Sequence, residues 1–286
     1  MGGLELLGRI EENDKHSGDV EGLDVHEDKV VSGADDGKIK VWDSNLKLLK
    51  ETQAFDNAIQ RVVAHNGIVY ALSGRFIKAF DLETLEPKDY EFLPLEKDAN
   101  AMRTDGECIY VGDEYCKITN YGLDGTYYNR VELVEQLFDV IKADGLYFSV
   151  RDRGITVQEP RKNGQVTVIK TMRGRSPLSM WGNGYLACCS QENANDIVVY
   201  EKNKPFNHLK DIKGHDKILL SMVGWGTHLA TGSYDSKVKL HDVDSGSLLG
   251  EVEVPGGVFI MSLATNGNGL LYAGISGGAV MKLKAD

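Results

Sequence analysis

The 286-residue sequence predicts an all-β fold, a propeller of seven four-stranded antiparallel sheets (blades) set in a ring. Two periodic series and one absence predict it. Asn-Gly and Asp-Gly pairs, the strongest short-range hairpin signal, fall at Asn66-Gly67, Asp105-Gly106, Asp144-Gly145 and Asn183-Gly184, each 39 residues after the last. Trp225-Gly226 and Asn266-Gly267 continue the series less regularly, and Glu27-Asp28 occupies the slot in the first unit. The second series is Trp42, Phe80, Tyr121, Gln158, Tyr200, His241 and Leu283, each following an apolar alternating run at about the same period. Two series in step at about 40 residues are the signature of a radial array of small sheets. No long 3.6-residue periodicity competes with them.

Taken in order, residues 3–11 (GLELLGRIE) resemble 246–254 (GSLLGEVEV) and, less closely, 46–54, which are outer-strand positions. The last unit stops at Asp286 without an outer strand of its own, so 3–11 is expected to complete the blade formed by 255–286 and close the ring. The first full unit holds strand-like runs at 20–25, 29–32 and 38–42 with tight polar turns between them. Blade limits follow at 19–55, 56–95, 96–134, 135–173, 174–214, 215–254 and 255–286, giving one domain over 1–286. All six prolines fall between strands or at strand starts, where a missing N–H costs no ladder bond.

Composition narrows the function. No apolar run approaches the roughly 18 residues that a membrane-spanning helix needs. The N-terminus lacks the basic and apolar regions of a secretory signal, and Leu6 stands where a myristoylation motif wants Ser or Thr. A net charge of −11 disfavours nucleic acid. Cys108, Cys116, Cys188 and Cys189 form no metal-binding spacing, and free thiols in a reducing compartment, cytoplasmic or nuclear, are expected.

The segment from His16 through Ser32 and Asp36 to Trp42-Asp43 resembles the WD40-repeat β-propellers, as does Gly214-His215 with Thr231, Asp235 and His241-Asp242. The period carries the likeness through the other units. The resemblance implies that His16, Ser32, Asp36 and Trp42, and again His215, Thr231 and Asp235, form a structural hydrogen-bond network rather than a catalytic triad. A buried indole N–H needs an acceptor and a buried carboxylate needs donors. Two other motifs read as turns. Residues 274–278 (GISGG) fit a nucleophile elbow, but a strand follows rather than a helix. Residues 33–38 (GADDGK) are too short for a phosphate loop. No catalytic residue, metal or cofactor is expected.

The resemblance also implies that loops joining strands d to a and b to c open on one face, the top. On that scheme Arg151 and Arg153 fall in the b–c turn of blade four, and Arg173 and Arg175 in the next d–a loop, with Arg75 farther round. Residues 142–175 hold eight basic and three acidic side chains within an acidic protein. Arginine suits bidentate capture of carboxylate or phosphate, and Phe138, Tyr234 and Phe259 supply aromatic anchors nearby. The expectation is a non-catalytic scaffold, monomeric or part of a larger complex, binding an acidic or phosphorylated peptide of another protein, as ubiquitin-ligase adaptors of this kind do. The Trp-Asp-x-Arg signature of cullin-4 docking is absent at Trp42-Asp43 and at His241-Asp242. The alternative is a propeller hydrolase or lactonase with its site in the central channel. Such a site needs polar residues at the strand-a starts, and Val20, Ile59, Ala99, Phe138, Leu178 and Leu219 stand there instead.

Overall fold

A computed structural model describes residues 3–151, 154–182 and 184–286. Seven antiparallel sheets form the ring, and the helical content of the described residues is one short 3-10 turn at Glu12–Asp14. Blade one is typical: strand a at Gly22–His26, b at Lys29–Gly33, c at Lys38–Asp43 and d at Leu48–Gln53. The closing strand behaves as expected. Leu4–Arg9 pairs antiparallel with Val280–Ala285, in register Leu4↔Ala285 to Arg9↔Met281, and completes blade seven.

The apolar alternation has a simple destination. Buried apolar residues form seven clusters, and each cluster lies in one seam between neighbouring blades. Val31, Ile39 and Val41 pack on Ile59, Val62 and Ala64 of blade two. Their strand neighbours Val30 and Trp42 point the other way, onto Tyr272 and Val280 of blade seven. Successive side chains on a strand face opposite sides, so each inner blade is apolar on both faces. Cys188 and Cys189 follow the same rule, one in each flanking seam, and all four cysteines are free thiols.

One blade departs from the expected four strands. Blade two has three, Arg61–His65, Ile68–Ser73 and Phe76–Asp81, with a single bridge at Pro87 where a d strand would start. Pro87 and Pro94 interrupt that segment, and its side chains go into the seam instead. Phe92 sits edge-on to Tyr70 and Tyr121, and the Tyr121 hydroxyl donates to Leu93 O at 2.7 Å.

The predicted network forms in blade one. His16 Nδ1 donates to Asp36 at 3.0 Å, the Ser32 hydroxyl donates to His16 Nε2 at 2.8 Å, and Trp42 Nε1 donates to Ser32 Oγ at 2.9 Å. Ser32 and His16 are fully buried, so the hydroxyl has no substrate to meet. Burial would raise the Asp36 carboxyl, but His16 and the N–H groups of Lys38 and Ser17 hold it well below the usual range. Gly37 completes the turn: its φ is +72°, and a Cβ there would lie 2.0 Å from Phe55 O. Blade four builds a version the sequence motif does not announce, with Gln158 Nε2 donating to Ser149 Oγ at 2.8 Å.

Blade six keeps His215, Asp235 and Thr231 in place, with His215 to Asp235 at 2.9 Å and to Thr231 at 2.9 Å. His241 fills the Trp slot, and neither of its buried ring nitrogens has a partner. Burial first, then His215 and Lys239, push its pKa from the ordinary 6.5 to about 4.

Two outcomes follow from this architecture. A chain lacking residues 1–10 is expected to melt roughly 5–10 °C lower and to lose slow amide exchange in Val280–Ala285; retained protection there would count against closure by the N-terminal strand. His241→Trp restores an indole donor for Thr231 and is expected to stabilise the protein by about 1–2 kcal/mol. Unfolding lets His241 take up a proton that the folded state refuses, so it withdraws stability as pH falls from 6.5 towards 4. The variant should flatten stability across that window in denaturant titrations, and an unchanged slope would refute the assignment.

Candidate functional site

The strand-a starts surround the channel, but the register is one step from the expected one. Val20, Ile59, Ala99, Leu178 and Leu219 are buried in the seams. Phe138, the sixth of these starts, lines the mouth instead, and the polar residues Glu21, Gln60, Arg61, Asn100 and Asp139 beside the starts of blades one to four also face the opening. The ground on which a polar channel was disfavoured therefore does not hold. The innermost strand alternates between seam and lumen, and in blades one, two and three the apolar member of the pair takes the seam, whereas Phe138 of blade four turns to the mouth.

Two connected spaces result. A mouth of about 550 Å³ opens on the top face, and a lumen of about 600 Å³ continues below it. Glu21, Arg61, Asp139, Pro177 and Leu220 line both and form the neck between them.

Four of the predicted partner-binding residues converge on the mouth: Phe138, Arg151, Arg175 and Tyr234. Phe259 joins them through Tyr234, ring edge to face at 4.6 Å. Backbone bonds fix the aromatic positions, with Phe138 N donating to Val150 O at 2.8 Å, Tyr234 N to Ile218 O at 3.1 Å and Phe259 N to Ser276 Oγ at 2.8 Å. Phe138 and Ile218 are 45% and 52% exposed, large values for apolar side chains on a rigid rim. Ile218 carries no motif and was not anticipated. Arg175 has no carboxylate within ion-pair distance among the described residues.

The other arginines stand apart from this group. Arg173, in the loop before Arg175–Trp181, is 78% exposed, 3.5 Å from Glu192, and lines neither space. Arg75 lies over the Phe76 ring at 5.6 Å, also outside the mouth. Arg153 lies outside the described residues. Across the mouth, blade one presents acid: Asp19, Glu21 and Asp35 bring carboxylate oxygens within 4.8 Å of one another. Burial first raises the Glu21 carboxyl; the neighbouring Arg61 guanidinium opposes this, and Asp35 and Asp19 add to it.

The neck itself is charged. Arg103 Nη2 donates to both Asp139 oxygens, at 2.9 and 3.1 Å, and to Leu178 O at 3.1 Å. Asp139 also accepts from Val140 N at 2.8 Å and Leu178 N at 3.0 Å, so three blades meet on one carboxylate. Asp24 repeats the device between blades one and two, accepting from Val25 N and Ala64 N, each at 2.8 Å. Burial raises its carboxyl to about 6. Arg61 differs: its one hydrogen bond is from Nη1 to Gln60 O at 2.7 Å, and no carboxylate is within ion-pair distance among the described residues. Burial pushes its guanidinium down; Asp139 offsets this in part, Arg103 adds to it, and Glu21 offsets it further.

Sequence reasoning missed Glu21, Arg61, Arg103 and Asp139. The available signal was an apolar–polar step repeated at the strand-a starts: Val20-Glu21, Ala99-Asn100 and Phe138-Asp139. Removing one partner of the Arg103–Asp139 pair leaves the other uncompensated. Asp139→Ala is expected to cost about 3 kcal/mol, and the apolar double variant Arg103→Met/Asp139→Leu much less. Denaturant melts of the two compare them directly, and equal losses would show that charge pairing is not the cause.

A family model described as "WD domain, G-beta repeat" matches residues 9–43 and 206–242. Each match begins at or beside an outer strand and ends with strand c of the next blade, which are the units built around His16 and His215. Among solved structures, the chain is similar to the computationally designed Ika8 protein: TM-score 0.78 at 15% identity, over 98% of this chain and 99% of that one. At that identity the likeness concerns the fold alone. No curated protein matches in sequence. The family pattern recurs in blades one and six and the same sheet unit repeats round the ring, which together support a WD40-repeat β-propeller.

Proposed function

We propose that this propeller is a non-catalytic scaffold that holds an acidic segment of a partner protein over the mouth of its channel. The family and fold are consistent with a protein-interaction scaffold. The observation that carries the finer reading is the convergence of Arg151 and Arg175 with exposed Phe138 and Ile218 and with Tyr234 on one concave rim. Guanidinium groups offer fixed forks to carboxylate or phosphate, and aromatic anchors in a partly desolvated depression give such contacts their affinity. The rim loops rest on a closed ring, so binding costs little backbone ordering. The hydroxyl most like a nucleophile, Ser32, is fully buried in its network and supports no hydrolytic reading.

Arg151→Glu/Arg175→Glu is expected to weaken binding of a fluorescein-labelled Gly-Asp-Phe-Asp-Asp-Gly peptide at least about tenfold, a loss of about 1.4 kcal/mol. Arg173→Glu, away from the mouth, should change it little. Fluorescence anisotropy at fixed ionic strength measures both. Equal binding by wild type and the double variant, or equal binding of the lysine-for-aspartate peptide, would refute the proposal.

A further inference from the structure

Resting on that reading, we infer that Arg61 is the specificity-determining cation of the site: a single anionic side chain of the bound segment enters the neck and is received by Arg61. The argument begins with supply and demand inside the neck. Arg103 and Asp139 satisfy each other, with Leu178 and Val140 completing the carboxylate's donors. Arg61 stands beside that pair without sharing it. Of its five guanidinium N–H groups, one is committed, to Gln60 O. A cation largely withdrawn from water without a paired anion is costly to the fold, and proteins keep such groups where a ligand supplies the counter-charge.

Position gives the second part. Among the described residues, Arg61 is the one arginine that lines both the mouth and the lumen below it, whereas Arg151 and Arg175 line the mouth alone. A segment lying across the rim therefore meets the two outer arginines with its main body, and only an inserted side chain reaches Arg61. Glu21, on the adjoining strand of blade one, is the neighbour an entering anion must oppose; it partly offsets the Arg61 charge but lies beyond ion-pair distance of it among the described residues. The ligand class is an aspartyl or glutamyl carboxylate or a phosphoryl group, borne on a peptide side chain.

Two variants test this with opposite signs. The probes are fluorescein-labelled Gly-Asp-Phe-Asp-Asp-Gly and the same peptide with phosphoserine at the fourth position. Arg61→Met should melt at or above the wild-type temperature and bind both probes about tenfold more weakly. Glu21→Gln should bind both about threefold more tightly. The wild-type preference between the two probes identifies which anion the neck was built for, and that preference should collapse in Arg61→Met. A marked fall in melting temperature for Arg61→Met would make Arg61 a structural residue and overturn the inference. Unchanged binding in Glu21→Gln would overturn it as well, whether or not Arg61→Met folds. If Arg151→Glu/Arg175→Glu loses the probes while both neck variants keep wild-type affinity, the rim proposal stands and the neck assignment falls. If wild type binds neither probe, both fall.

Discussion

Every blade between its neighbours is apolar on two faces, and this is the constraint from which the architecture follows. A four-stranded sheet with Val31 and Val41 on one side and Val30 and Trp42 on the other can rest only between two more sheets. Seven seams, each with its own apolar cluster, satisfy all seven blades only when the circle is complete. The outer strand supplied by Leu4–Arg9 is thus more than an edge cover. It makes the first and last blades one object, with Ile10 buried in the closing seam.

Polar groups near the axis add a second set of ties. Asp24 reaches Ala64 N in the next blade, Asp139 reaches Leu178 N, Ser221 reaches Ile260 O and Ser262 reaches Val20 O. Trp181 Nε1 reaches Gly226 O in the same manner. These bonds join strands a where the blades converge and little apolar surface is available. They also fix the register of one blade against the next, which a non-directional apolar seam cannot do alone. The blade two–three junction relies on Phe92, Tyr70 and Tyr121, in the place where the outer strand is missing.

Against this background of satisfied groups, exceptions stand out. His241 is a divergent residue in an inherited slot, buried and unpartnered beside an intact His215–Asp235 pair. Arg61 is another kind of exception, charged and with no carboxylate within ion-pair distance among the described residues, at the neck of an open cavity. The first is buried away from solvent. The second faces a space that an anion can enter. Location in the fold, rather than residue type, separates a defect from a site.

The sequence alone determined the repeat, the blade limits, the closing strand and the buried networks, because all of these are local: period-two alternation, turn dipeptides and residues spaced within one unit. It also grouped Phe138, Arg151, Arg175 and Tyr234, which the structure brings together at one mouth, since loop position within the repeat decides the face. Three things were decided only by tertiary structure. Blade two's outer segment left the sheet for the seam, a choice between an edge ladder and aromatic burial that two prolines hint at but do not settle. Arg173 and Arg75 lie outside the mouth, because direction along a loop is not encoded in its place in the repeat. The charged neck appeared only when Glu21, Arg61, Arg103 and Asp139, spread over four blades, were brought round one axis. Ring closure creates that axis, and no stretch of chain shorter than the ring contains it.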